Sequence, residues 1–278
     1  MEAPEMLAIA IAATVKMGVF GLFHPTELDL RPVAGHTLVL QAEGQNKNLV
    51  RGDIIHLRAG FRATGLKGAM TVFMLSVPGK LHREFYGRLE IRERDGHLIP
   101  IIETDRESAV SAVASSEMQS VPLEAMKAQV VATRSYLAAL PSKHAEDGYQ
   151  FCDTTHCSYF RGRQEVGIEA PRAVSLTQGL AVVHDGKVVA TLYSSNCGGE
   201  THLPVDAGWA PGFNYPYFRV ACRLKTTQYG HGVGMCQRGA IEMAREGATF
   251  RDILAHYFPA TAIETLTYRP VGFQGARL

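Results

Sequence analysis

Between residues 15 and 102 the apolar positions come in short runs, at 15–20, 37–41, 54–58 and 70–77. Turn residues separate them, and runs of that length predict strands. The clearest strand alternates: Phe85, Gly87, Leu89 and Ile91 stand between Tyr86, Arg88, Glu90 and Arg92, a period of two that places one set on a buried face. Asp95-Gly96 readily takes the positive φ angles of a tight primed turn, which folds the next apolar run, 98–102, back as a hairpin. There the period changes. Asp105 can cap a helix over 106–116, with Ser108 in its first turn. Residues 123–140 contain no Gly or Pro and are rich in Ala, Met, Lys, Gln and Leu; Pro122 presets the helical φ and Glu124 complements the dipole. Residues 144–162 are polar, aromatic and turn-rich without a period, so they read as a loop held by something other than a hydrophobic face. Runs at 180–184 and 187–194 flank Asp185-Gly186 as a second hairpin. Residues 234–246 read as a helix stopped by Gly247, and Thr249 caps a last one over 250–258, ended by Pro259. The whole predicts an α+β fold: a β-rich N-terminal half with hairpins over 1–97, and over 98–278 a region whose central and C-terminal helices frame a cleft.

Composition narrows the classes. A chain of 278 residues, 46% apolar and 20% charged, can bury the core of one large domain or two smaller ones. The 27 glycines suit a turn-rich strand fold. A formal charge of +1 offers no polyanion footprint, so nucleic acid is not expected as a partner. No apolar stretch reaches the roughly 18 residues that span a bilayer, so no membrane span is expected. Residues 6–15 have the length of a signal-peptide core, but Glu2 and Glu5 stand where a cationic segment belongs, so the stretch reads as a strand or a leader remnant.

Candidate chemistry gathers after residue 116. Glu117 falls at the joint of two predicted helices, where a side chain can project while its backbone is held on both sides. Partial burial beside Met118 would favour its protonated form and let it act as a general acid. Lys127 and Arg134 share a helical face with Leu123, Val130 and Leu137. A core-facing stripe does not accommodate two cations, so either the stripe lies at an edge with its charges in water or both point into a cleft beside Glu117. Five cysteines is an odd number, so a purely structural disulfide set leaves one over. His144, Cys152, His156 and Cys157 can supply four ligands to a closed tetrahedral zinc site, a structural one since no position stays open for water. A disulfide, between Cys152 and Cys157 or to a partner elsewhere, is the rival. Gly230, Gly232 and Gly234 around His231 form a turn whose backbone can approach a ligand closely. His24, His36 and His56 read as ordinary surface or core histidines.

Three blocks in order carry a resemblance. The first is Glu117-Met118, Pro122, Glu124-Ala125, Lys127-Ala128-Gln129 and Ala132-Thr133-Arg134-Ser135-Tyr136. The second is Cys152-Asp153-Thr154-Thr155-His156-Cys157 with Tyr159 and Gly162. The third is Tyr229-Gly230-His231-Gly232-Val233-Gly234-Met235, then Gln237, Gly239-Ala240, Met243-Ala244 and Gly247. Together they resemble the sporulation stage II protein D family, SpoIID/LytB, over about residues 98–263. The resemblance implies a peptidoglycan lytic transglycosylase that cleaves the β-1,4 bond between N-acetylmuramic acid and N-acetylglucosamine, preferably in denuded strands, leaving a 1,6-anhydro end. Glu117 would be acid and then base, because the sugar's own 6-hydroxyl is the nucleophile and no second carboxylate is required. Lys127, Gln129 and Arg134 would line the sugar groove, with Tyr159, Ser195, His231 and Gln237 as further contacts. Some members of the family hold zinc at the second block. The family's two-cysteine variant implies a Cys197–Cys222 disulfide and leaves Cys236 as a small buried residue. The resemblance also implies work in the cell envelope or outside the cell, on glycan strands and alongside other wall hydrolases. Other readings are a non-catalytic wall-binding or amidase-enhancing module, a hydrolase using Cys157 with His231 or His156, and an ordinary glycosidase with Asp153 as second carboxylate.

Overall fold

The structure, a computed structural model, describes residues 9–42, 45–140, 143–163, 167–210 and 212–269. It is α+β, and the chain forms two compact units that interleave in sequence: Ala13–Ser116 with Pro141–Val166, and Met1–Ala12 with Glu117–Leu140 and Gly167–Leu278.

The first unit is built on a ten-stranded sheet. Its spine is the strand Leu81–Arg94, which pairs with Thr71–Val77 along its first half, with Phe61–Thr64 along its second, and with His97–Asp105 on the other side. The predicted alternation is realised: Phe85, Gly87, Leu89 and Ile91 are buried and their neighbours are not. Gly87 sits where the strand changes partner, at φ 153°, and a Cβ there would run into the Glu103 carbonyl. Asp95 and Gly96 both have positive φ, as the hairpin requires. Phe85 stands among Phe20, Phe73 and Phe160, with ring centroids 5.9–6.2 Å away. Asp105 Oδ1 accepts the Ser108 N–H at 2.9 Å and starts helix α1, Arg106–Glu117. The returning segment adds the short strand Phe151–Cys152, parallel to Thr14–Gly18 at the end of the sheet.

The second unit surrounds helix α2, Leu123–Ala139, in which every residue from Ala125 to Leu137 except Lys127 is buried. A helix apolar or satisfied on every side is a core element. Around it lie α3 (Glu169–Leu176), α4 (Gln237–Arg245), α5 (Phe250–Tyr257) and the strand Leu180–His184. That strand pairs with Lys187–Val188 through the expected Asp185-Gly186 turn and with Ala262–Thr265 on its other edge. Thr249 and Asp252 form a capping box at the start of α5.

Three local expectations differ. The strand expected over 187–194 ends at Val188, and pairing resumes only at Tyr193–Ser194. In between, Thr191 Oγ1 donates to the Ala132 carbonyl at 2.6 Å, which draws the chain onto α2. The helix expected from residue 234 begins at Gln237, because Met235–Cys236 pairs in parallel with Tyr193–Ser194. Helix α3 had no prediction. Of the possible leader segment, residues 1–8 lie outside the described residues, and Ala10–Ala12 is a strand parallel to Thr267–Arg269. Among the described residues no helix is long and apolar enough to cross a membrane.

Candidate functional site

Glu117 ends α1 and is half-buried, with Met118 buried beside it. Gln237, first residue of α4, donates its amide to Glu117 Oε2 at 3.1 Å and to Gln129 Oε1 at 3.4 Å. Gln129 in turn donates to Thr133 Oγ1 at 3.1 Å. Gln129 is 0% and Gln237 6% exposed, so each amide is fixed by its neighbour and the carboxylate receives a donor whose position is already set. The buried Tyr193 hydroxyl lies beside Thr133 and Glu117; burial first, and then the Glu117 charge, push it well above the ordinary phenol range.

The parallel pairing of Tyr193 with Met235 and Ser194 with Cys236 explains how this forms. It lays the Ser194–Gly199 block along the third motif, and Cys236 Sγ then accepts the Gly239 N–H as the cap of α4, which aims Gln237 inward. Ser195 joins through its carbonyl, which accepts the Arg238 N–H at 3.2 Å. His231 Nδ1 accepts the Val233 N–H at 3.1 Å, and its ring lies 4.8 Å from that of Trp209. Desolvation by burial holds the His231 pKa below its ordinary value.

Lys127 donates to Glu124 at 2.5 Å and lies 4.8 Å from the Phe250 ring centroid, while Glu124 also accepts the Phe250 N–H at 2.8 Å; the trio clips α2 to the start of α5. Arg134 is 0% exposed and donates to the Leu180 carbonyl at 2.9 Å, tying α2 to a strand. A guanidinium has enough fixed donors to be buried where a carbonyl faces it. Tyr159 belongs to the other unit, where the Arg161 guanidinium lies over its ring at 5.2 Å.

That unit also carries the Cys/His cluster. The ligand atoms of His144, Cys152, His156 and Cys157 all lie within 4.8 Å of one another. Cys157 Sγ is 3.4 Å from His144 Nε2 and 3.6 Å from His156 Nδ1, and Cys152 Sγ is 3.8 Å from His156 Nδ1. A tetrahedral ion with bonds of about 2.3 Å to sulfur and 2.0–2.1 Å to nitrogen has sulfur–nitrogen edges of about 3.5–3.6 Å, so the four atoms fit one. Asp147 lies 3.7 Å from His144 Nδ1, on the side away from the cluster, and Tyr149 stacks on the same ring at 4.6 Å. Neither Cys152 nor Cys157 is disulfide-bonded. The hydrogen bond that Cys157 donates to Cys152 pulls the Cys152 thiol below its ordinary range and pushes Cys157 up. Asp153 takes part elsewhere: its Oδ2 accepts the Phe20 N–H at 3.0 Å and Arg83 at 2.7 Å, anchoring the loop to the sheet, and burial raises its carboxyl. These residues can hold a metal.

Of the residues singled out in the sequence, Glu117, Gln129 and Gln237 meet in one hydrogen-bonded chain, and the four Cys/His residues meet in another cluster. Tyr193 and Trp209 are not among the residues the sequence singles out. Tyr193 precedes the serine-glycine block by one residue, and Trp209 is the chain's single tryptophan, which was the available signal.

The family model described as SpoIID, stage II sporulation protein, matches residues 94–184, which bears out the resemblance and points to a sporulation-related, cell-wall role. An uncharacterized protein of Brachyspira hyodysenteriae is 33% identical over 120 residues, 42% of this chain and 33% of the relative. The chain thus matches about a third of the length of that curated relative.

Proposed function

We propose that the protein is a peptidoglycan lytic transglycosylase in which Glu117 is the single acid/base. The observation that carries the reading is the Glu117 carboxylate held by a buried amide chain, Gln237 to Gln129 to Thr133. An amide donor fixes the orientation of a carboxylate without carrying a formal charge itself. Glu117 gives its proton to the glycosidic oxygen as the bond to C1 of the muramic sugar breaks. It then takes the proton of that sugar's 6-hydroxyl as the oxygen closes on C1, which returns the acid and leaves a 1,6-anhydro end. Trp209, packed on His231, offers an aromatic face of the kind sugar rings stack on. A zinc ion on His144, Cys152, His156 and Cys157 would staple the loop and take no part in the proton transfers. Glycan strands of the wall are the partner this reading requires, in the cell envelope or outside the cell.

Mass spectrometry of products from denuded and intact glycan tests it. Anhydro-ended fragments from wild type and none from Glu117→Gln are expected. Reducing ends would indicate an ordinary glycosidase, and binding to glycan without turnover would favour the non-catalytic wall-binding module.

A further inference from the structure

Cys197, Cys222 and Cys236 come from three separate segments, are 2%, 6% and 0% exposed, and bring their sulfurs within 4.8 Å of one another. All are free thiols. Cys236 Sγ receives two backbone N–H groups, from Gly239 and from Cys197, at 3.4 Å each. N–H groups aimed at sulfur stabilise negative charge, which a metal-bound thiolate carries and a disulfide sulfur does not. Tyr257 Oη, 3.6 Å from Cys222 Sγ, closes a fourth side. The room is kept by Gly239, where a Cβ would stand 2.5 Å from Cys222 Sγ.

We propose that Cys197, Cys222 and Cys236 form a second metal site, a three-thiolate cage for a thiophilic divalent d10 cation. All-sulfur donors select soft and borderline ions over calcium or magnesium. Binding replaces three thiol protons by one dication, releases the protons to solvent and leaves one net negative charge, which the N–H groups offset. The ion would hold Cys236 at the start of α4, the residue before the glutamine whose amide reaches Glu117, and so act as a positioning element. That last consequence rests on the reading of Glu117; the site itself does not.

The test uses the full chain, reduced, stripped of metal and titrated with Cd2+ alone. The thiolate-to-cadmium absorbance should saturate at two equivalents. Cadmium NMR should give two resonances, one typical of two sulfurs with two nitrogens and one further downfield for three sulfurs. Cys222→Ser/Cys236→Ser should saturate at one equivalent and lose only the downfield resonance; should that variant not fold, the wild-type spectrum decides. A single two-sulfur resonance in wild type overturns the proposal while sparing the His144 cluster, and a single three-sulfur resonance does the reverse. A Cys197–Cys222 bridge in peptide maps of the protein before reduction also overturns it.

Discussion

The Cys/His cluster and the Glu117 group assemble in opposite ways. The first draws its ligands from residues 144–157, one loop of the first unit. The second joins Glu117 to Gln237 across 120 positions, with Gln129 and Tyr193 between them. Closing a short loop around an ion costs little chain entropy, so local spacing is enough to build the cluster. The distant group exists only because α2 is packed and the Tyr193–Ser194 and Met235–Cys236 strands are in register. A local metal site should therefore fail locally, and a packed polar chain should fail through whatever holds its elements.

Glu117→Gln is expected to have the largest effect. It keeps the size and the Gln237 contact but removes the transferable proton. Turnover of glycan should fall by roughly a hundred- to ten-thousandfold, with an unchanged melting curve; near-normal turnover sinks the assignment of the acid.

Next comes Asp147→Asn, which removes the charge behind His144. Zinc affinity should weaken about 10- to 100-fold, with new protease cuts confined to residues 143–163. Weakened stability of the second unit, seen by hydrogen exchange, would break the contrast between local and distributed sites.

Arg134→Met keeps the buried volume and leaves the Leu180 carbonyl without its guanidinium donor. A loss of about 1.5–3 kcal/mol in denaturant unfolding is expected. A loss of activity with intact stability would instead place Arg134 on the substrate.

The smallest effect concerns pH. His231 has a folded-state pKa below its ordinary 6.5 because it is desolvated, so in the window beneath 6.5 the unfolded chain binds more protons than the folded one. Stability should rise with pH through that window and level off above it. His231→Gln should flatten the slope in unfolding curves measured across the window; an unchanged slope would show that His231 titrates normally.

Much was legible in the sequence where the cause is local. Both Asp-Gly turns, the Asp105 cap, the Thr249 cap and the alternation of the Phe85 strand depend on φ preferences and on near neighbours. Lys127 and Arg134 show the limit. Periodicity put them on one face, yet one clips α5 and the other is buried against a strand carbonyl, and the choice belongs to partners 46 or more positions away. The early end of the strand at Val188 and the late start of α4 at Gln237 have the same origin, in groups that other segments present.

By itself the sequence determined the turns, caps, helices α1, α2 and α5, the ligand spacing of the Cys/His loop and the motif order that carries the family resemblance, because each is settled within a few residues. Only the tertiary structure decided that Gln237 and Gln129 hold Glu117, that Tyr193 lies beside it, and that three cysteines from separate segments meet. Buried polar groups must find partners wherever packing brings them, and the identity of the partner is not encoded at the position that needs it.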